Sequence, residues 1–243
     1  MNMNIDKETA EDELSKRKEE WRRMIAHDLR APLSNILAVL QVIHEVAGAR
    51  ALEAKELELL NISIRSGKRM TELLDLFLDI AKLDEGVMPV DKKEIPLFPM
   101  LQSVIEDEIE FSQAKNISIK IGVKKGETVL ADKRLLERIL QNLLNNALKF
   151  TPRGGIISIS ADLSNPKTSL ISVKDNGIGI PAEGMATLFD RFHQAQARRE
   201  GLIQGNGLGL AFCQEAVKAM GGNISVRSEL GQGSEFTVSL PRF

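Results

Sequence analysis

Four clusters of residues are of types that do chemistry. In "MIAHDLRAPLSNI" (24–36), His27 and Asp28 sit side by side in a helix-like apolar stretch, with Pro32 five positions after the histidine. A neutral imidazole is a nucleophile, and its ordinary pKa of about 6.5 keeps most of it neutral at pH 7. In "NLLNNALKFTP", Asn142 and Asn146 are four apart, which on a helix puts both amides on one face with Lys149 one turn further on. Amide oxygens suit hard Mg²⁺, which keeps waters and phosphate oxygens as its other ligands, and an ammonium one turn along can meet a phosphate oxygen. In "DNGIGIP", Gly177 and Gly179 let the chain turn sharply and approach a flat ligand, while Asp175 can accept a hydrogen bond from an exocyclic amine. In "GNGLGLAFCQEAVKAMGG", Gly205, Gly207 and Gly209 run straight into a helix, whose free N–H groups and positive end suit phosphate.

Each cluster alone has a plain structural reading: a satisfied core histidine, a solvated asparagine pair, a tight turn, a helix-capping loop. The specific signal is the ordered set. The asparagine helix, the Asp-Asn-Gly-x-Gly turn and the Gly-x-Gly-x-Gly loop follow one another between Asn142 and Gly209. This arrangement resembles the ATP-binding domain shared by sensor histidine kinases, gyrase and mismatch-repair ATPases. "LFDRFHQ" (188–194) lies where the kinases carry their phenylalanine box. The resemblance implies that Asp175 holds the adenine amine and that Asn146 is the principal Mg²⁺ ligand, with Asn142 beside it. It also implies an ATP-binding set of Asn142, Asn146, Lys149, Phe150, Asp175, Gly177, Gly179, Ile180, Gly205, Gly207, Leu208, Gly209 and Leu210, and a mobile lid over the triphosphate at 193–206. The hydrolases of this superfamily resemble one another in having a glutamate four residues before the metal asparagine, where it activates water. Here that position is Asn142, and an amide has no useful basicity at neutral pH. The site suits holding ATP for some other nucleophile.

"HDLRAPL" closely resembles the phospho-acceptor box of the histidine kinases whose dimerisation hairpin precedes the ATP domain, and the resemblance runs from Trp21 onward. It implies a two-component sensor kinase in which His27 takes the phosphoryl group, Asp28 takes the ring proton, and an aspartate of a response regulator receives the phosphate. On helical spacing His27 falls beside the seam set by Ala26 and Leu29, at the flank of a bundle. Pro32 cannot donate to the carbonyl of Asp28, so a bend or loosening is expected one turn after the acceptor. His44 and His193 lack such a context and read as surface residues. In relatives that also dephosphorylate their regulator, a threonine or asparagine stands four residues after the histidine. Here that residue is Ala31, which implies weak phosphatase activity. Two rivals follow from the same residues: an idle ATP-binding dimeric scaffold, and a gyrase-like ATPase.

The elements that position these groups fall into two textures, α+β overall. Up to about Glu85, apolar residues recur in steps of three and four: Ala26, Leu29, Leu33, Ile36, Leu40, Ile43 and Ala47, then Leu57, Leu60, Ile64, Gly67, Thr71, Leu74, Leu78 and Ala81. Met70, Leu73, Phe77 and Ile80 add a second stripe. This predicts a helical hairpin broken at "AGAR" (47–50). Two helices cannot cover such stripes, so a homodimeric four-helix bundle is expected, the alternative being a hairpin packed on its own C-terminal domain. Prolines and charges mark 87–96 as a linker. Beyond it the pattern predicts helices near 98–114, 133–149 and 207–220. Strands are expected near 117–123, 128–131, 155–162, 169–174, 223–228 and 234–240, in an α/β sandwich of the Bergerat type. The expected division is a charged lead-in at 1–20, a phosphotransfer hairpin at 21–86, the linker, and a catalytic ATP-binding domain at 97–243.

Composition excludes other classes. The chain has 243 residues, a formal charge of −2, 43% hydrophobic and 27% charged residues, and one cysteine, Cys213. Nothing here favours nucleic acid or an anionic membrane surface. No disulfide or zinc framework exists, and a cytoplasmic setting is expected. No apolar run is long enough to span a bilayer, although the chain could be the cytoplasmic piece of a longer sensor.

Overall fold

The apolar rows at helical spacing fold as helices. A computed structural model describes residues 28–29, 31–40, 42–43, 54–84, 86, 88–190 and 207–243. Helix α1 covers 28–43 in its described residues, and α2 runs over Ala54–Asp84. Residues 31–40 are helical through Pro32, so the proline removes a donor without ending the helix. Gly67 of α2 meets α1 closely: a Cβ there would lie 3.4 Å from Ile36 Cδ1. Val39, Leu73 and Leu76 are buried, yet Leu33, Leu37, Leu40 and Ile64 remain 44–54% exposed. One hairpin leaves much of its seam in water. Ala26, Ala47 and the side chains of Leu57, Thr71 and Leu74 lie outside the described residues.

The chain divides between Leu78 and Asp79 into two compact units. In the C-terminal unit, strands β2 (Ser118–Gly122), β4 (Ile156–Asp162), β5 (Thr168–Asp175), β7 (Gly233–Pro241) and β6 (Asn223–Glu229) form one sheet in that spatial order. β2 is parallel to β4 and the other pairs are antiparallel. Period-two alternation writes the two faces. Ile157, Ile159, Ile171, Val173, Phe236, Val238 and Leu240 are buried on one side. The other side carries polar residues such as Ser172 and Thr237, whose hydroxyls bond at 2.9 Å. Helices α3 (Leu97–Glu106), α5 (Lys133–Phe150) and α7 (Gly209–Ala219) supply the opposing layer: α5 contacts α3, α7 and β5, while α7 contacts β6 and β7. This is the expected α/β sandwich.

Two elements depart from the sequence reading. The expected linker 87–96 contains strand β1 (Lys92–Pro96), paired antiparallel with β3 (Thr128–Asp132). Only Ile95 of this strand is buried, so alternation is nearly silent there, and Pro96 stands at its end, where a missing N–H is tolerated. The single helix expected over 98–114 is two, α3 and α4 (Ile109–Ala114), separated at Asp107 and Glu108. The buried row of α3 is Leu97, Met100, Leu101 and Val104. Continuing it by one more turn would set Glu108 on the core face. Instead the chain breaks and Glu108 bonds Asn145, its carboxyl pushed up first of all by burial. A short helix α6 (Ala182–Met185) follows Pro181 and was not anticipated.

Candidate nucleotide site

Helix α5 starts from a strong cap. Asp132, 2% exposed, accepts from the N–H groups of Arg134 (3.0 Å) and Leu135 (3.2 Å) with one oxygen. Its other oxygen accepts from Asp91 N–H at 2.9 Å. The helix then buries Leu136, Ile139, Leu140, Leu143, Leu144, Ala147 and Leu148. On the flank of that stripe Asn142, Asn146 and Lys149 stand half-buried, one turn apart in succession. Asn142 donates through Nδ2 to the Arg138 carbonyl at 2.9 Å. Its Oδ1 is turned to the first residue of α7, where a Cβ on Gly209 would lie only 2.7 Å away. The asparagine helix and the glycine loop are therefore in contact, and a side chain at Gly209 would displace the Asn142 amide. Arg138 itself sits 4.8 Å from the Phe212 ring centroid and pairs with Asp79.

Asp175 ends β5 on the same face as Ile171 and Val173, because it continues their period-two row. It is 6% exposed, and burial pushes its carboxyl up from the usual range. Two backbone donors oppose that shift: Gly177 N–H at 2.8 Å and Ser234 N–H at 3.3 Å, both to Oδ1. The turn that follows rests on the end of α5. Ile178 N–H donates to the Phe150 carbonyl at 3.2 Å, and a Cβ on Gly177 would lie 2.6 Å from that same oxygen. Gly179 adopts φ +69° with the Glu229 carbonyl directly against it, so both its backbone and its surroundings exclude a side chain. Ile180 N–H donates to Ser228 Oγ at 2.8 Å.

The glycine loop is described from Gly207, which has φ +64°. Leu208 and Leu210 are buried at 3% and 7% exposure and anchor the start of α7 beneath it. The first N–H groups of such a helix have no intrahelical acceptor, which leaves its N-terminus suited to an anion. Lys149 Nζ lies 4.6 Å from the Phe150 ring centroid. Asp28 is half-buried on α1. His27, His44, His193, Gly205 and the expected lid at 193–206 lie outside the described residues.

The structure also reveals residues that the motifs did not mark. Ser228 Oγ donates to the Gly233 carbonyl (2.8 Å) and accepts from Ile180 N–H, so its bond with Ser234 Oγ (2.9 Å) must take its proton from Ser234. Asn176 Oδ1 accepts from Ile156 N–H at 2.7 Å and ties the turn to β4. Isolated serines in strands give no sequence signal for such a role. Among the described residues no group of three His, Cys, Asp or Glu could hold a metal ion. A cation here would need other oxygen donors, and the amide oxygens of Asn142 and Asn146 are of a type that hard Mg²⁺ accepts.

Comparison with known proteins agrees with this geometry. Residues 131–243 match the family described as histidine kinase-, DNA gyrase B-, and HSP90-like ATPase. Residues 17–86 match the His Kinase A (phospho-acceptor) domain. The sensor histidine kinase TmoS of Ectopseudomonas mendocina is 34% identical over 229 residues, 94% of this chain and 23% of that protein. The sensor protein SrrB of Staphylococcus aureus (strain MRSA252) is 30% identical over 237 residues, 96% of this chain and 40% of that protein. The structure of full-length ShkA in complex with AMPPNP superposes with a TM-score of 0.69 at 29% identity, covering 88% of this chain and 44% of ShkA. The chain thus spans less than half the length of these relatives. The chain carries a histidine kinase catalytic core, a phospho-acceptor domain followed by an ATPase-type domain. Among the described residues no helix is long and apolar enough to cross a membrane.

Proposed function

We propose that this chain uses ATP to phosphorylate His27 and passes the phosphoryl group to an aspartate of a response regulator, acting as a homodimer. The observation that carries this reading is Asn142. It occupies the position from which a base would activate water, yet it is an amide whose N–H is committed to the Arg138 carbonyl. Hydrolysis has no base there, so the bound nucleotide waits for a different nucleophile. The neutral imidazole of His27 attacks the γ-phosphorus, the bond to the β–γ bridging oxygen breaks, and its electron pair leaves with ADP. The acquired ring charge is relieved by proton loss to Asp28, its neighbour in sequence. Asp175 accepts from the adenine amine, Lys149 meets a phosphate oxygen, and the start of α7 faces the triphosphate. Asn146, aided by Asn142, would hold Mg²⁺, which supplies neutralisation of the charge that develops on the phosphates. The complex of the relative ShkA with AMPPNP supports nucleotide binding by this domain type.

Incubation with γ-labelled ATP tests the reading. Acid-labile, alkali-stable label on the wild type and none on His27→Ala is the expected result. Asn146→Ala should also lose the label while remaining dimeric. Steady phosphate release that survives His27→Ala would make the protein an ATPase, and bound ATP without label would make it a scaffold. Ala31 refines the reading, since its methyl group cannot orient water. Ala31→Thr should speed dephosphorylation of the cognate phosphorylated receiver severalfold with little change in His27 labelling. Equal rates in both proteins would show that Ala31 is not limiting.

A further inference from the structure

The end of α5 carries two of the nucleotide residues, Lys149 and Phe150, and its last four carbonyls have no partner within the helix. Each carbonyl of that turn is met from elsewhere. Ala147 O accepts from Thr151 N–H at 2.9 Å, and Phe150 O from Ile178 N–H at 3.2 Å. Leu148 O and Lys149 O both accept from one side chain, Lys115 Nζ, at 2.7 and 3.0 Å. The same ammonium donates to Thr151 O at 3.0 Å. An ammonium has three protons, and these three carbonyls take them all. The positive charge also lies where the helix dipole is negative.

Lys115 is itself held in place. It closes α4, its N–H donating to Phe111 O at 3.2 Å, and its carbonyl accepts from Gly154 N–H at 3.0 Å. Its ammonium lies 5.4 Å from the Phe111 ring centroid. Beside it Arg153 donates to Ala114 O at 3.1 Å. The clamp therefore joins the end of α4 to the turn that follows α5.

We infer that Lys115 is a positioning residue for the nucleotide site, fixing the last turn of α5 as the common seat of Lys149 and the Asp175–Ile178 turn. This inference rests on the ATP-binding reading above. The Phe150 carbonyl is the link: it bonds Ile178 N–H and leaves no room for a side chain at Gly177. If the end of α5 frays, the phosphate-side lysine and the adenine-side turn both lose their reference surface. Lys115 acts on the Lys149 carbonyl and not on its ammonium, so its removal should weaken ground-state binding and spare the chemical step.

The test uses the full chain and ATP·Mg²⁺, with affinity measured by calorimetry and His27 labelling followed at saturating nucleotide. Lys115→Met should raise the Kd for ATP about tenfold, the scale of losing charge-assisted hydrogen bonds, while the saturated labelling rate stays within about twofold. A merely structural lysine would instead lower the active fraction and leave the Kd of the folded molecules unchanged. Lys115→Cys alkylated with 2-bromoethylamine returns an ammonium to the same place and should recover most of the lost affinity. The native thiol does not interfere, because Cys213 is fully buried and burial raises its pKa far above the usual thiol range. Should Lys115→Met fail to fold, Lys115→Gln keeps two of the donors and should show a smaller loss of the same kind. Wild-type affinity in these variants, or a loss that the restored ammonium does not repair, overturns the role of Lys115 alone. Absence of ATP binding by the wild type overturns the nucleotide reading and this inference together.

Discussion

The hairpin and the C-terminal unit both carry regular apolar rows, yet they use them differently. In the C-terminal unit the rows close on one another: Leu101, Leu136, Ile139, Leu144, Ile157 and Phe212 are at or below 1% exposure. In the hairpin, Leu33 and Leu40 are 44% and 50% exposed although they lie on an equally regular row. Periodicity states which face is apolar and says nothing about what covers it. For the hairpin the expected cover is a second copy of the chain, because a four-helix bundle buries what two helices cannot.

The largest effect that would sharpen this contrast is in the closed core. Leu144→Ala should cost about 3 kcal/mol, within the range for a fully buried leucine. Its unfolding midpoint in urea should not depend on protein concentration, and a concentration-dependent shift would break the distinction between the units. Next, Leu40→Ala should raise the dimer dissociation constant about tenfold or more, since a two-fold interface loses the side chain twice. Sedimentation equilibrium reads this, and an unchanged constant would mean that the exposed row is not the interface.

The smallest effect concerns charge within the C-terminal unit. Burial raises the Asp175 pKa in the folded chain. Its contribution to stability is therefore full below the unfolded value of about 3.9 and is lost as pH rises through the folded value. Asp175→Asn should raise the melting temperature of the nucleotide-free protein at pH 7, and the gain should shrink toward pH 4. At the same time ATP should no longer raise its melting temperature. A variant that melts lower at pH 7 and keeps the ATP effect would contradict both the burial cost and the adenine role.

What could be read from sequence follows the same division. The contact of Asn142 with Gly209 and the tight turn after Asp175 were legible because close backbone approach demands glycine at particular spacings. The sandwich was legible because six of its seven strands alternate. β1 was not, because one buried residue, Ile95, makes no pattern. The break at Glu108 was missed because no glycine or proline marks it; what ends α3 is a carboxyl falling on the core face. Ser228 and Lys115 were silent for another reason. They act on main-chain groups, and carbonyls and amides are present at every position.

Strand β1 bears on where this protein can be cut. Among the described residues β3 has no strand partner other than β1. A fragment beginning at Leu97, where the sequence first looks like a new domain, would leave the edge of β3 bare and Asp132 Oδ2 without the Asp91 N–H. Bare strand edges invite aggregation, so such a piece should precipitate where one beginning a few residues before Asp91 stays in solution. The natural seam for dissection lies further toward the hairpin, where the two compact units part between Leu78 and Asp79.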